Sequence, residues 1–219
     1  MFNNCNSKTN GELLFYTNIK PNIQVIFDVG CRADSEFTDF EGDVHYFDPV
    51  KYFIDTLSKQ PHQNKHAYFN NFGLGHDNTS VYYYPIYQSF YDRIISCKKS
   101  DASNKLLLQI KKAKDYIVEH NISTIDFLKI DTEGYELNVL QGFEECLHNV
   151  KIIQFEYGGT FLDNNIKLID VIEYLTSYGF HTFSYLHDKG TTPITDFTDH
   201  YQYCNIVCVN KTSDYTPFL

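Results

Sequence analysis

No apolar stretch in the sequence approaches the roughly 18 residues that a membrane-spanning helix requires, so no membrane span is expected. The first residues, Met1-Phe2-Asn3-Asn4-Cys5, hold neither a basic segment nor an apolar one, and no secretory signal is expected there. Positive charge is also scarce. The chain has 18 Lys and Arg against 28 Asp and Glu, a formal net charge of −10. A protein that tracks phosphates normally presents a basic face, so nucleic acid is not an expected partner. Six cysteines are present but scattered (Cys5, Cys31, Cys97, Cys146, Cys204 and Cys208), with no C-x-x-C pair. That argues against a zinc site or a redox dithiol, and no metal is expected. A reduced, cytoplasmic protein is the simplest reading. Tryptophan is absent, whereas Tyr and Phe number 18 each and fall largely in strand-like runs. Repeats, low-complexity tracts and linkers are lacking too. The 219 residues therefore read as one domain, 23–210, with an N-terminal arm over 1–22 and a tail over 211–219.

What is present is an alternation of strand and helix patterns. Ile23 to Val29 is a β-branched apolar run that fits a buried parallel strand. A short helix is expected over Ala33–Phe40, a strand over Asp43–Asp48, a helix over Lys51–Ser58 and a strand over Lys65–Phe72. Thr79–Pro85 reads as a strand beside the main sheet, and Phe90–Ser100 is ambiguous. Lys105–His120 carries helical periodicity through Leu108, Ile110, Ala113, Ile117 and Val118, with Asn121 as C-cap. Ile125–Ile130 is the next strand, Tyr135–Leu147 a helix and Val150–Phe155 a strand. A helix over Ile166–Ser177 and strands over Phe180–Leu186 and Tyr201–Val209 close the chain. Between those last strands, His187–His200 reads as a long loop. This order predicts an α/β fold, a doubly wound, largely parallel sheet with helices on both faces.

In such a sheet, ligands bind beyond the carboxyl ends of the strands. Those ends read Asp28-Val29-Gly30, Phe47-Asp48-Pro49, Asn70-Asn71-Phe72-Gly73, Asp131-Thr132-Glu133-Gly134 and Glu156-Tyr157-Gly158-Gly159. Asp, Asn and Gly are also ordinary turn formers, so any one of these alone says little. Five together are more specific. Asp28 and Asp48 lie about 20 residues apart across one strand-loop-helix-strand unit, and a carboxylate at Asp48 suits the ribose hydroxyls of an adenosine cofactor. The first loop lacks the second and third glycines of a dinucleotide fingerprint, and Asp34 would repel a pyrophosphate. S-adenosylmethionine (SAM) carries no phosphate but has sulfonium and ammonium cations, which acidic strand ends suit better than NAD.

The segment from Ile125 to Gly142, Ile-Asp-Phe-Leu-Lys-Ile-Asp-Thr-Glu-Gly-Tyr-Glu-Leu-Asn-Val-Leu-Gln-Gly, resembles the signature of the FkbM family of SAM-dependent methyltransferases. Phe27-Asp28-Val29-Gly30, Tyr46-Phe47-Asp48-Pro49 and Ile153-Gln154-Phe155-Glu156 resemble its other motifs, in the same order, over roughly residues 23 to 209. The resemblance implies a Rossmann-like class I methyltransferase fold: a mostly parallel seven-stranded sheet, helices on both faces and an antiparallel final strand. It implies O-methylation of a small acceptor, a sugar or glycan hydroxyl among the candidates, with SAM as donor. By position, Asp28, Gly30 and Arg32 would shape the loop at the methionine end. Asp48 would hold the ribose, Asn71 and Phe72 would flank the adenine, and Asp131 would border the sulfonium. Asp131, Glu133, Lys129 and Glu156 are the candidate catalytic residues, with Asp131 favoured as general base. His187 and His200 are further candidates for the base. Structural readings compete: Lys129 pairing with Asp131, Glu133 or Glu156, and Glu133 capping the following helix. The chain departs from the family's commoner loop, D-V-G-A-N-x-G, by placing Arg32 at the Asn and Asp34 at the second Gly. That departure leaves a catalytically silent binding or scaffold protein as the alternative.

Overall fold

The computed structural model describes residues 2–93, 95, 96, 98 and 104–211. After a coiled arm come α1 (Glu12–Ile19), β1 (Val25–Val29), β2 (Asp43–Phe47), α2 (Lys51–Leu57) and β3 (His66–Asn70). Next are β4 (Gly73–Gly75), β5 (Thr79–Tyr83), β6 (Leu106–Lys112), α3 (Ala113–Glu119) and β7 (Ile125–Ile130). The chain continues through α4 (Glu136–Phe143), β8 (Val150–Tyr157), α5 (Gly159–Asp163) and α6 (Leu168–Ser177). It closes with β9 (Phe180–His187), β10 (Gly190–Pro193) and β11 (Cys204–Asn210). One sheet has the order β10-β9-β11-β8-β7-β1-β2-β3. Strands β3, β2, β1, β7 and β8 run parallel, and β11 pairs antiparallel with both β8 and β9.

Apolar runs make the central strands two-sided. In β1, Ile26 packs with Phe15, Ile19 and Val44 on one face, while Phe27 joins Phe47, Leu128 and Phe143 on the other. The same period-two division separates Phe127 from Leu128 and Ile152 from Ile153. Cys204 and Cys208 are buried on one face of β11, as their spacing suggested.

The α/β class and the mostly parallel sheet match expectation, but the sheet has eight strands, not seven. The extra strand, β10, forms from Gly190 to Pro193 inside the expected His187–His200 loop and pairs with β9. The expected helix over Lys105–His120 is corrected more sharply. Its first half is β6, which pairs antiparallel with β5 and parallel with β4 in a separate three-stranded sheet. Only Ala113–Glu119 is helical, followed by Asn121 at φ 54. Strand pairing offered to Leu106-Leu107-Leu108 by β5 outweighs the helical periodicity over the first half of the segment. Ala33–Phe40 reduces to a 3-10 turn, Glu36–Asp39. The arm contributes a packed helix, α1, with Phe15, Tyr16 and Ile19 buried. Of the ambiguous Phe90–Ser100 segment, residues 94, 97, 99 and 100 lie outside the described residues, as does the expected tail beyond Lys211.

Helix α4 is fastened to β4 through a glycine. A Cβ on Gly142 would stand 1.9 Å from the Gly75 carbonyl oxygen. Gly142→Ala must therefore push α4 off β4, and we expect it to lower unfolding stability by about 1–3 kcal/mol in urea titrations. Unchanged stability would contradict this close approach.

Candidate functional site

The carboxyl ends of β1, β2, β7 and β8 open onto three adjoining pockets. The first, with about 440 Å³ of space, has an apolar wall of Pro49, Phe53, Tyr83 and Phe90, with Asp48 and Gly30 opposite. The second, about 600 Å³, lies between the arm and the loop after β1 and is bordered by Glu12, Asp28, Glu36 and Lys129. The third, about 700 Å³, is bordered by Glu133, Glu156, Gly158, Thr160 and Arg93. Arg32 and Asp131 line all three. The pockets therefore meet at these two side chains.

Backbone geometry explains the junction. Asp131 N donates to Val29 O at 2.9 Å, drawing the end of β7 against the end of β1. Gly30, at φ 86, sits directly beneath: a Cβ there would be 1.9 Å from the Asp131 carbonyl oxygen. The glycine is thus required by strand-to-strand contact. The loop then folds over β2, with Gly30 N and Cys31 N both donating to Phe47 O. Arg32 takes φ 53 and its N–H donates to Asp48 Oδ2 at 3.1 Å. Asp48 Oδ1 accepts from Val50 N at 2.8 Å. Both carboxylate oxygens are thus oriented by backbone donors, and burial pushes the Asp48 pKa up to about 6. Near the end of β1, Asp28 accepts from the hydroxyl of Ser35 in the following loop. Burial raises its pKa to about 7, against the opposing pull of Lys129.

Beyond β7 the chain turns through two successive left-handed residues, Glu133 (φ 51) and Gly134 (φ 101). Glu136 holds this turn from within. Its Oε1 accepts from Thr132 N at 2.9 Å, Thr132 Oγ1 at 3.0 Å and Gly134 N at 3.2 Å, while its buried Oε2 has no hydrogen-bond partner among the described residues. Glu133 does not cap α4; its Oε2 lies 3.7 Å from Arg93 Nη1. Burial, with the Asp131 charge adding, raises the Glu133 pKa to about 7.

Lys129 Nζ sits 3.3 Å from Glu12, 3.7 Å from Asp131 and 3.9 Å from Glu36. Burial alone would lower its pKa, but the surrounding carboxylates hold it well above the usual value. Glu156 is not its partner. In the β7–β8 register Ile130 stands beside Phe155, which places Asp131 next to Glu156. Burial first, and then the neighbouring Asp131 and Glu133 charges, drive the Glu156 pKa well above its ordinary value.

The structure thus gathers Asp28, Gly30, Arg32, Asp48, Lys129, Asp131, Glu133 and Glu156 around one cleft. Asn71 and Phe72 are not among the residues lining it. Asn71 donates to the Asp48 and Pro49 carbonyls, and Phe72 packs on Phe47 and Tyr116 with Lys111 over its ring. The apolar wall comes instead from Phe53, Tyr83 and Phe90. His187 and His200 also lie outside the lining, bonded to Thr192 and Tyr185. Sequence reasoning missed Cys5, Ser7 and Glu12 of the arm, Arg93, and Tyr203. Tyr203 and Asn3 exchange hydrogen bonds that lay the arm across the sheet edge. Nothing in residue spacing signals such a contact between the two ends of the chain.

The family model of the methyltransferase FkbM domain matches residues 28–182, most of the chain. No curated protein matches. Among solved structures, a TehB-like SAM-dependent methyltransferase from Corynebacterium glutamicum is 12% identical, with 92% of this chain and 88% of that one covered and a TM-score of 0.47. The plantazolicin methyltransferase BpumL, solved with SAH, is 10% identical over 90% and 80%, with a TM-score of 0.48. Magnesium protoporphyrin IX methyltransferase from Synechocystis, solved with SAM, is 8% identical over 91% and 76%, with a TM-score of 0.46.

Glu136 gives a pH test of the turn. Burial raises its pKa from 4.5 to about 7. Below the unfolded-state value both states hold the proton. As pH rises past it, only the unfolded chain ionises, so Glu136 takes stability away between about pH 4.5 and 7, levelling off above that. Glu136→Gln keeps the Oε1 acceptor and cannot ionise. We expect the variant to match the wild type at pH 4 and to exceed it by up to a few kcal/mol at pH 8 in denaturant titrations. Equal stability at both pH values would contradict a raised Glu136 pKa.

Proposed function

The chain belongs to the FkbM methyltransferase family, and on that premise we propose that it transfers a methyl group from SAM to a hydroxyl of a small acceptor, a sugar or glycan residue. The observation that carries the reading is the meeting of three pockets at Asp131. A donor occupying two of them and an acceptor occupying the third would bring methyl and hydroxyl together beside one carboxylate.

The residues suit this donor. The pocket with Pro49, Phe53, Tyr83 and Phe90 offers apolar surface to an adenine, and Asp48 stands ready-oriented for ribose hydroxyls. The second pocket carries Glu12, Asp28, Asp34, Glu36 and Asp131 against Lys129 and Arg32, an acidic balance that favours a ligand bearing ammonium and sulfonium groups. When bound, SAM supplies an activated methyl with a good leaving group, so alignment accounts for much of the rate. The chain's own task is then to place the acceptor oxygen and take its proton. Asp131 is the base in this proposal. Glu156 stands beside Asp131 at the end of the neighbouring strand and lines the same pocket. Lys129 stabilises the Asp131 carboxylate from the opposite side. Glu133 and Arg93 shape the acceptor pocket, whose lining is largely polar and suits a polyhydroxylated molecule more than an apolar one.

Two measurements bear on this. In calorimetric titration the wild type should bind SAH, the demethylated donor, and Asp48→Ala should weaken that binding roughly 10- to 100-fold through loss of charge-assisted ribose hydrogen bonds. With methyl-labelled SAM and a panel of sugars and oligosaccharides, the product label should survive mild alkali, as an ether does and a methyl ester does not. Absence of SAH binding would sink the donor assignment, and an alkali-labile product would sink the hydroxyl acceptor.

A further inference from the structure

Arg32 is a cation placed where a cationic donor must pass its methyl. It lines all three pockets together with Asp131. Its backbone is fixed by the bond from its N–H to Asp48 and by the left-handed turn at φ 53. The guanidinium lies 5.9 Å from the Phe53 ring centre, and among the described residues no carboxylate comes within salt-bridge distance of it. The other cations at the cleft differ in this respect. Lys129 is matched by Glu12, Asp131 and Glu36, and Arg93 by Glu133 and Asp163. The loop's helix-like continuation is also absent, since only the 3-10 turn Glu36–Asp39 follows. At longer range its charge pulls down on the raised pKa values of Asp48 and Glu133.

We infer that Arg32 sets the preference of the site between the charged donor and its uncharged product, weakening SAM relative to SAH. This rests on the donor assignment above. The sulfur must sit at the junction of donor and acceptor pockets, because the methyl leaves it for an acceptor oxygen in the adjoining pocket. In that step the carbon–sulfur bond breaks, a carbon–oxygen bond forms, the hydroxyl proton passes to a carboxylate, and the sulfonium becomes a neutral thioether. One positive charge at the junction disappears. Asp131 attracts that charge and Arg32 repels it, so Arg32 raises the energy of the loaded ground state relative to any state in which the charge has been dissipated. A neutral thioether feels neither influence strongly.

The test compares SAM and SAH by calorimetry in the intact protein, without any acceptor. Arg32→Asn removes the charge and puts at φ 53 a residue that tolerates the left-handed region. Its SAM affinity should rise against its SAH affinity by roughly 3- to 10-fold, the size expected for like charges several ångströms apart in a partly solvated cleft. Arg32→Lys, which keeps the charge, should leave the ratio near that of the wild type. Raising the salt concentration should narrow the difference between wild type and Arg32→Asn. If Arg32→Asn weakens both ligands alike, the guanidinium holds the methionine carboxylate and the inference is overturned. An unaltered ratio overturns it as well, by showing that solvent screens the charge. Wild-type protein that binds neither ligand would instead defeat the donor assignment itself.

Discussion

One largely buried ammonium, that of Lys129, ties together the segments that make the cleft. Glu12 comes from the arm, Glu36 from the loop after β1, and Asp131 from the end of β7; all three converge on Nζ within 3.9 Å. These segments are distant in sequence and carry like charges. Without the cation between them, burial and mutual repulsion would force the carboxylates apart or protonate them. Asp28 shows how near that limit lies, since even with Lys129 close by its pKa reaches about 7. A site this acidic discriminates by charge before it discriminates by shape. That balance favours a cationic donor.

A second constraint fixes the pivot in space. Gly30 and Asp131 touch backbone to backbone, and Glu136 pins the turn that carries Asp131, Thr132 and Glu133. The three pockets meet at this rigid point. The carboxyl pair of Asp131 and Glu156 follows from strand register alone, because β7 and β8 run parallel and place successive strand ends side by side. The chemistry of the junction thus descends from the way the central strands terminate.

Much of this was legible in the sequence, for identifiable reasons. The runs Ile23–Val29 and Ile125–Ile130 fit buried parallel strands, and in a parallel sheet their acidic ends share one edge. The Lys129-to-Gly142 segment named the family because its turn chemistry is so demanding: Gly134 and Gly142 each stand where a Cβ would collide, as does Gly30 in the first loop. Less legible were features set by distant pairing. Leu106-Leu107-Leu108 joined a strand because β5 offered a partner, and no local pattern announces that. Glu12 reached Lys129 through the packing of α1, and Tyr203 reached the arm across almost the whole chain. Asn71 and Phe72 occupied the expected strand end, yet their side chains served the Asp48 turn and the Tyr116 cluster, leaving the apolar wall to Phe53, Tyr83 and Phe90.

The central claim is that donor and acceptor pockets meet at Asp131. It is tested most directly by a crystal structure of the protein with SAH. The account predicts the ribose on Asp48, the adenine against Phe53, Tyr83 and Phe90, and the thioether sulfur in van der Waals contact with the Asp131 carboxylate, facing the pocket of Glu133 and Glu156. A sulfur directed away from Asp131, or an adenosine seated outside the Asp48 pocket, would contradict it.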